Sequence, residues 1–515
     1  MRKWIVFAVL SVVLPALAQQ KSAKRGVCWD EKTQVVSEQT LAKMAPGVAW
    51  LYNWGVSPKG NSSLFALYSS FHFAPMCWNA AFDEAALRSW LSAHPETKYL
   101  LGFNEPNFSS QSNMTPQAAA TAWPRLEQIA ADYGLLLVAP ALNFTAEKVG
   151  GRTWTPYEWL DEFFRLYPEA HIDLLAMHCY MNWYSSCTWL ATEYFYSDLY
   201  NPQKKDAYGK YPHLVAALDT YREREGHFPR MMLTEFCAWE NDGTITGVDF
   251  QIDQMTQKVQ KLEQSDLVEG YAWFMANASA AQYPYMSLFE TNSPASELSA
   301  LGKVYTYMSA FDTSYYYAPG EVIQAKDYVD ASTDNQQVRV RPIAGATSSV
   351  AGEEDSPLLQ VELPASGWTI YQLALPSDGD YTLRLLMKSE ADLRLFCDLD
   401  LSKKWTQAAL PSTQGEWQQQ TVELTAAKAG QHQLRLWNAG NTSLCLATLT
   451  IDQTTGISAM QNDKRETKND KAYDLQGRRV GNSSSATHRS ASPLGSSKNS
   501  KTKIIIVNHR LLFVK

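Results

Sequence analysis

The fold is decided by the stretch Leu101-Gly102-Phe103-Asn104-Glu105-Pro106-Asn107, in which an apolar run ends in an amide, a carboxylate and a proline. Ionised carboxylates are seldom buried without a partner, because removing them from water is costly. A glutamate at the end of a buried run is therefore either half of a structural ion pair or a functional group. The stretch Leu233-Thr234-Glu235-Phe236 repeats this arrangement later in the chain.

Short apolar runs alternate with longer, helix-compatible segments through the first part of the chain. The runs are Arg25–Trp29, Ala49–Gly55, His72–Trp78, Lys98–Pro106, Leu135–Leu142, Ile172–Tyr180, Arg230–Trp239 and Val268–Met275. Near-continuous apolar strands that alternate with helices are typical of a parallel sheet covered by helices. We therefore expect an α/β fold, a (β/α)₈ TIM barrel, as the catalytic domain over residues 24–315.

The pattern changes after about Gly320. Short runs that alternate apolar and polar residues are separated there by proline, glycine, aspartate and serine, which predicts an antiparallel β-sandwich over residues 321–453. Residues 454–515 are rich in serine, lysine and asparagine until a final apolar stretch. We expect this last part to be a disordered linker and tail.

The N-terminus has the layout of a secretory signal peptide. Arg2 and Lys3 precede an apolar run from Trp4 to Leu17, and Ala18 offers a small residue for cleavage. The run is shorter than the ~20 residues that a membrane-spanning helix needs. We expect residues 1–18 to be removed and the protein to be secreted or held at the cell surface, with no transmembrane segment.

The composition gives no reason to expect some classes of partner. The chain has 515 residues with 45 basic and 53 acidic side chains, so its charge gives no reason to expect nucleic acid. Seven cysteines, without a CxxC or Cys/His spacing, predict no metal site. The sequence does not decide whether Cys179 and Cys187, or Cys397 and Cys445, form disulfide bridges. We expect a monomer that needs no cofactor.

Barrel enzymes carry their active sites at the carboxyl ends of the strands, so the last residues of each run are candidates for one shared site. Glu105 and Glu235 fit the carboxylate pair of a retaining glycosidase, in which one protonates the leaving oxygen and the other attacks the anomeric carbon. The remaining candidate site residues, expected to bind substrate, are Asn53, Trp54, Trp78, Asn104, His178, Tyr180 and Trp273. Tryptophans suit the flat faces of sugars, although an aromatic residue is by default part of a core.

These strand ends resemble one known family when they are taken as an ordered set. Tyr52-Asn53-Trp54-Gly55, the stretch around Glu105, Ala176-Met177-His178-Cys179-Tyr180, the stretch around Glu235 and Tyr271-Ala272-Trp273-Phe274 are similar to motifs of glycoside hydrolase family 128. That family consists of retaining endo-β-1,3-glucanases.

The resemblance implies Glu105 as acid/base, Glu235 as nucleophile and Asn104 as a partner of the sugar 2-hydroxyl. By the same analogy Tyr180 orients Glu235. His178 either holds a substrate hydroxyl, tunes a carboxylate or is a core residue.

The predicted sandwich loosely resembles family 6 carbohydrate-binding modules, with Trp368, Trp405, Trp417 and Trp437 as candidates for a sugar platform. A purely structural sandwich remains open. The tail, from Ala472 onwards, resembles C-terminal sorting tails of exported proteins in certain Gram-negative bacteria, although a serine-rich insert interrupts it.

The sequence thus predicts a secreted retaining endo-glycosidase that hydrolyses β-1,3-glucan, with a polysaccharide or oligosaccharide as its partner. Two alternatives stay open. One is a retaining glycosidase that acts on another β-glycan, since a fold alone does not fix a substrate. The other is a glycan-binding surface protein without catalysis.

Overall fold

A computed structural model of the chain describes residues 19–31, 34–59, 71–145, 147–180, 191–240, 243–279, 281–348, 350, 355–454, 503–507 and 510–514. For residues 191–193 and the last two stretches only the backbone is described. The predicted signal peptide, most of the predicted linker and Cys187 lie outside the described residues.

The first part of the chain alternates strands with helices. Its strands are β1 (Arg25–Cys28), β2 (Trp50–Tyr52), β3 (His72–Phe73), β4 (Tyr99–Leu101), β5 (Leu136–Val138), β6 (Leu142–Asn143), β7 (Lys148–Val149), β8 (Arg152–Thr153), β9 (Leu174–Cys179), β10 (Arg230–Phe236) and β11 (Val268–Trp273). Its helices are α1 (Glu38–Met44), α2 (Glu84–Ala93), α3 (Pro116–Tyr133), α4 (Pro156–Leu166), α5 (Ala191–Tyr200), α6 (Pro212–Glu225), α7 (Val248–Gln264) and α8 (Ala300–Tyr307). Each predicted run contains a strand.

Nine of these strands form one parallel sheet in the order β3-β2-β1-β11-β10-β9-β5-β4, with β6 paired to β9, and β7 and β8 form a separate antiparallel pair. Gly26 of β1 is in register with Trp50 of β2 on one side and with Ala272 of β11 on the other. Just beyond β3, an isolated parallel bridge joins Met76 to Leu101 of β4. The result is the expected barrel-like parallel sheet covered by helices.

Local sequence signals explain where the helices begin and end. Helix α3 begins after Thr115, whose side chain accepts a hydrogen bond from the amide of Ala118, with a proline in the first turn. It ends at Gly134, whose φ of 66° is the left-handed conformation that glycine adopts without steric cost. Helix α4 begins with a reciprocal capping box between Thr155 and Glu158.

The interior of the sheet is filled by aromatic side chains. Trp50 lies across Gly26, where an added Cβ would approach the indole Cε2 to 2.3 Å, and its Nε1 donates to the carbonyl of Lys24. Tyr52 stacks on Trp50 and in turn contacts Trp54, with ring centroids 5.1 Å apart. These three rings pack beneath the carboxyl ends of the strands.

The second part of the chain consists of antiparallel strands, as predicted. They are β12 (Val322–Gln324), β13 (Asp330–Ala331), β14 (Arg339–Thr347), β15 (Pro357–Leu363), β16 (Trp368–Leu375), β17 (Gly379–Lys388), β18 (Leu393–Leu399), β19 (Thr406–Leu410), β20 (Gln418–Ala427), β21 (Gly430–Asn438) and β22 (Leu444–Gln453), with a 3₁₀ turn at Asp334–Gln336. One sheet has the order β14-β15-β22-β17-β20 with β12 on β22, and the other has the order β13-β16-β21-β18-β19. The tail contributes a separate pair, β23 (Lys503–Val507) and β24 (Arg510–Val514).

Buried side-chain amides join the two parts. Gln260 of α7 donates to Asp330 Oδ1 at 3.0 Å and to the carbonyl of Ala331 at 2.9 Å. Arg341 of β14 forms an ion pair with Asp253 of α7 at 2.8 Å. Hydrogen bonds that satisfy buried amides hold α7 against the second part of the chain.

Most of the described cysteines are small buried residues. Cys397 and Cys445 are free thiols, so the bridge between them that the sequence left open is not formed. Cys28, Cys77 and Cys237 are also free and buried. Among the described helices, none combines the length and the apolar character needed to cross a membrane.

Candidate active site

Two residues at the carboxyl ends of the strands have an uncommon backbone conformation. Glu105 has a φ of 42° and Trp54 a φ of 57°, in a region that non-glycine residues seldom adopt. The amide of Glu105 donates to the carbonyl of Ala141 at 2.8 Å, which holds the turn against the neighbouring strand segment. Such conformations persist where the surroundings enforce them, and they are concentrated at functional sites.

Glu105, His178 and Glu235 form a buried cluster. Each is at most 5% exposed, and one ligand-type oxygen or nitrogen atom from each lies within 4.8 Å of the others. His178 Nδ1 is 2.6 Å from Glu105 Oε1 and 3.4 Å from Glu235 Oε2. Its Nε2 is 3.1 Å from Thr234 Oγ1. The cluster has the spacing of groups that share a proton.

Three further donors hold Glu235. Tyr52 Oη donates to Oε1 at 3.1 Å and Trp54 Nε1 donates to the same oxygen at 2.8 Å. The hydroxyl of Tyr180 donates to Oε2. Burial raises the pKa of both tyrosines well above the ordinary value, so their hydroxyls stay protonated and remain donors.

The two carboxyl groups have pKa values shifted in opposite directions. Burial raises the pKa of Glu235 against the opposing effect of the nearby His178, and the charge of Glu105 raises it further. Burial also disfavours the ionised form of Glu105, but His178 and the hydrogen bond from Asn143 together lower its pKa below the ordinary value. Burial acts against the charged form of His178, yet Glu235 and Glu105 raise its pKa. In the site without substrate, burial thus opposes ionisation of Glu235, whereas His178 and Asn143 favour ionisation of Glu105.

A cleft of about 970 Å³ opens above this cluster. Eight of the nine predicted site residues line it: Asn53, Trp54, Trp78, Asn104, Glu105, His178, Tyr180 and Glu235. They come from the ends of β2, β4, β9 and β10 and from the segment that follows β3. The structure thus brings together residues that are far apart in the sequence.

Trp273 does not line the cleft, which corrects the prediction. It is fully buried, its ring packs against Phe236 with centroids 5.2 Å apart, and its Nε1 donates to the carbonyl of Met286 at 2.9 Å. Successive side chains of a strand point to opposite faces, and the next residue, Phe274, lines the cleft instead.

The two predicted asparagines differ in what they offer to a ligand. Asn53 Nδ2 donates to Glu31 Oε2 at 2.6 Å, and its Oδ1 accepts from the amide of Gly55, so it also shapes the turn after β2. Asn104 Nδ2 donates to Gln111 at 3.2 Å. Its buried Oδ1 has no hydrogen-bond partner among the described residues, which leaves an acceptor for a ligand hydroxyl.

Among the cleft residues that were not predicted, four contact the carboxylates or the aromatic rings beside them. Asn143 lines it and donates from Nδ2 to Glu105 Oε1 at 2.8 Å. Trp239 and Tyr283 also line it, with ring centroids 5.3 Å apart, and Trp239 contacts Tyr180. Phe274, described above, is the fourth. Asn143 directly follows the fifth apolar run and Trp239 ends the seventh, so reading every strand end would have found both.

Comparisons with known proteins identify relatives of the first part of the chain. The sequence profile of the family described as glycosyl hydrolase catalytic core matches residues 26–203 and 206–305. A crystal structure of a subgroup II endo-β-1,3-glucanase of glycoside hydrolase family 128 from Pseudomonas viridiflava is 35% identical, with a TM-score of 0.41; the match covers 56% of this chain and 98% of that one.

A second subgroup II endo-β-1,3-glucanase, from Sorangium cellulosum, is 27% identical, with a TM-score of 0.40, and the match covers 55% of this chain and 98% of that one. The curated relative "Alkali-sensitive linkage protein 1" of Schizosaccharomyces pombe is 26% identical over 260 residues. That match covers 49% of this chain and spans only 39% of the yeast protein.

Proposed function

The chain belongs to the glycosyl hydrolase catalytic core family and, within it, to glycoside hydrolase family 128, and on this basis we propose that it is a secreted, retaining endo-glycosidase that hydrolyses β-1,3-glucan. The observation that carries the proposal is the pair Glu105 and Glu235, with oxygens less than 4.8 Å apart at the base of a cleft. The β-1,3-glucan substrate is inferred from the family 128 endo-β-1,3-glucanases that the chain resembles.

The spacing of the carboxylates favours retention. Retaining glycosidases have their two carboxyl groups about 5–5.5 Å apart, whereas inverting enzymes need about 6.5–9.5 Å to admit a water molecule. One oxygen of Glu105 lies within 4.8 Å of one oxygen of Glu235, as expected of the shorter class. No water fits between the sugar and the second carboxylate at such a distance, so that carboxylate attacks the anomeric carbon itself.

Glu235 acts as the nucleophile in this proposal. Three donors, from Tyr52, Trp54 and Tyr180, fix both of its oxygens and stabilise the ionised form. Glu105 acts as acid and then base. Protonated Glu105 donates to the leaving oxygen in the first step, and His178 Nδ1, 2.6 Å from Oε1, holds the carboxyl group in place.

The cleft offers groups suited to a glucan chain. We expect the open acceptor on Asn104 to bind a sugar 2-hydroxyl, whose hydrogen bond strengthens in the oxocarbenium-like transition state. Trp78 and Phe108 line the cleft together with Glu105, and Trp239 and Tyr283 line it together with Glu235. Aromatic rings stack on the apolar faces of sugars. The endo mode of action is inferred from the family 128 endo-β-1,3-glucanases that the chain resembles.

The domain assignment is part of the proposal. The Met76–Leu101 bridge and the hydrogen bond from the amide of Leu101 to the carbonyl of Pro75 support closure of the sheet into a (β/α)₈ barrel over residues 24–315. Removal of residues 1–18 would release the enzyme, and the tail, within residues 454–515, would sort it to the cell surface or into the medium.

The second part, residues 321–453, is proposed as a carbohydrate-binding module. Trp368, Trp437 and Phe396 come from adjacent strands, and Trp405 contacts both Trp437 and Phe396. Arg435 lies 5.4 Å from the centre of the Trp368 ring. Partly exposed rings with a guanidinium group among them suit a sugar ligand. Trp417 lies elsewhere, beneath Lys388.

The test is reducing-end release from linear β-1,3-glucan, with xylan, mannan and β-1,4-glucan alongside, for the wild type and Glu235→Gln. The proposal expects release from β-1,3-glucan alone and none from the variant, whose amide cannot act as a nucleophile. Glu297→Gln is a matched control, because Glu297 forms an exposed ion pair with Lys43.

Each other outcome identifies an alternative. Release from a different glycan alone keeps the mechanism and replaces the substrate. Binding to a glycan without release from any of them identifies a surface glycan-binding protein and contradicts the proposal.

A further inference from the structure

We propose that Asn143 is a positioning residue for the acid/base: clamped by Asn107, its side-chain amide holds one oxygen of Glu105 and leaves the other to carry the transferable proton. This rests on the proposed role of Glu105. Asn143 contacts the carboxyl group through hydrogen bonding and acts through it on the reaction.

The geometry distinguishes the two oxygens of Glu105. Oε1 accepts from Asn143 Nδ2 at 2.8 Å and lies 2.6 Å from His178 Nδ1. Oε2 accepts no hydrogen bond from the described residues. In a protonated carboxyl group the carbonyl oxygen accepts and the hydroxyl oxygen donates. Because Asn143 donates to Oε1, that oxygen is the carbonyl oxygen of the protonated group, so the acidic proton lies on Oε2.

Asn107 fixes the backbone of Asn143 from both sides. Its Nδ2 donates to the carbonyl of Asn143 at 2.8 Å, and its Oδ1 accepts from the amide of Asn143 at 3.3 Å. Asn107 is fully buried and lies two residues after Glu105. The turn that carries the acid therefore also holds the residue that orients it.

The orientation of the amide group is fixed as well. Asn143 Oδ1 accepts from the amide of Thr145 at 2.9 Å. An asparagine whose oxygen is engaged in this way presents its NH₂ group to the opposite side, where Glu105 lies. A donor at this position stabilises the ionised carboxyl group and lowers its pKa.

The charged and titratable groups that face Glu105 are His178 on β9, Glu235 on β10 and Tyr180 just after β9. None of them is altered when Asn143 is replaced. The effect of the replacement on acid catalysis is therefore a loss of orientation together with a rise in the pKa of Glu105.

The experiment compares two substrates with the same sugar, a β-1,3-gluco-oligosaccharide and its 2,4-dinitrophenyl β-glycoside, in the wild type, Asn143→Ala and Asn143→Asp. The quantity measured is kcat/KM, which covers binding and the first chemical step. An alcohol leaving group needs a proton from Glu105, whereas dinitrophenolate leaves without one. We expect Asn143→Ala to lower kcat/KM about 10- to 100-fold on the oligosaccharide and to leave it nearly unchanged on the aryl glycoside.

The pH profile gives a second readout. Glu105 must be protonated for the first step, so its pKa sets the basic limb of kcat/KM. Loss of the donor raises that pKa and moves the basic limb to higher pH. Asn143→Asp keeps the acceptor for Thr145 but places a second carboxylate beside Glu105, so it moves the limb in the same direction.

Ser109→Ala is the matched control. It removes the exposed hydrogen bond from Ser109 Oγ to Glu147 at 2.7 Å, which joins the same two loops without contacting Glu105. It should change neither the ratio between the two substrates nor the basic limb. Equal losses on both substrates for Asn143→Ala, or a basic limb that does not move, would overturn the proposal and leave Asn143 a structural residue of the loop.

A measurement that needs no turnover tests the role of Asn143 independently of the proposed glycosidase function. The titration of Glu105 is followed by ¹³C NMR of labelled glutamate carboxyl groups, with the resonance assigned by Glu105→Gln. A higher pKa in folded Asn143→Ala than in the wild type supports the hydrogen bond even if the wild type hydrolyses no glycan. An unchanged pKa contradicts it, whatever the substrate proves to be.

Discussion

Glu105 and Glu235 are the same residue type in one buried cluster, yet their surroundings differ. Glu105 lies in a turn beyond its strand. Its Oε1 accepts a hydrogen bond from the side-chain amide of Asn143 and lies close to the imidazole of His178. Glu235 lies within β10 and accepts from Tyr52, Trp54 and Tyr180 at both oxygens. A carboxyl group held at both oxygens is suited to attack along a fixed line. One held at a single oxygen is suited to transfer a proton from the other.

The largest expected effect comes from removing each carboxyl group in turn. Glu105→Ala should lower kcat on glucan about 10²- to 10⁴-fold, the usual contribution of a general acid, and Glu235→Ala should lower it at least as much because the covalent route is lost. With azide and a dinitrophenyl β-glycoside, Glu235→Ala should form the α-glycosyl azide, because azide takes the place of the nucleophile. Glu105→Ala should form the β-glycosyl azide, because azide attacks the glycosyl-enzyme. NMR of the products distinguishes the anomers, and the same anomer from both variants would refute the division of roles.

A smaller effect is expected from Tyr180→Phe, which removes the donor at Glu235 Oε2. Hydrogen bonds to charged groups contribute about 1.5–3 kcal/mol, so kcat/KM should fall about 10- to 100-fold. Glu235 must be ionised to attack. Removing a donor raises its pKa, so the acidic limb of the pH profile should move to higher pH. Tyr283→Phe, in the same cleft but without a hydrogen bond to Glu235, should leave that limb in place; a shift there as large as for Tyr180→Phe would show that the limb reports another group.

The smallest effect is expected from Tyr52→Phe. Its hydroxyl lies 3.1 Å from Glu235 Oε1, an oxygen that also accepts from Trp54 at 2.8 Å, so the carboxylate keeps a donor on each side. The loss should be about 1 kcal/mol in the free energy of unfolding, measured by urea denaturation, with a change in kcat/KM of about fivefold. If Tyr52→Phe lowered kcat/KM more than Tyr180→Phe, the donors at Oε1 would contribute more than the donor at Oε2 to the attack by Glu235.

The strands were predictable because each is an apolar run that the sheet and the helices bury together. Glu105 and Glu235 were predictable for the complementary reason, since a charged residue that ends such a run stands out against it. The order of the antiparallel strands after Gly320 was not predictable. Pairings such as β16 with β21 join residues far apart in the chain, and alternation alone does not select among them.

The errors in the site have a common physical origin. Trp273 was placed in the cleft because it is aromatic and near a strand end, but the alternation of the strand directs it to the core and directs Phe274 to the cleft. Tyr283 comes from a loop that follows β11 and reaches the site through Trp239, so no strand pattern points to it. Side-chain direction and loop paths depend on packing that a single sequence does not specify.

The backbone of Glu105, with a φ of 42°, has a consequence for how this protein could change over generations. A residue in such a conformation costs of order 1–3 kcal/mol, and glycine would relieve that cost. Glu105→Gly should therefore unfold at a higher temperature than the wild type while it loses acid catalysis. Selection for stability alone would favour an inert descendant of this chain, and the persistence of a glutamate at that turn depends on continued selection for turnover.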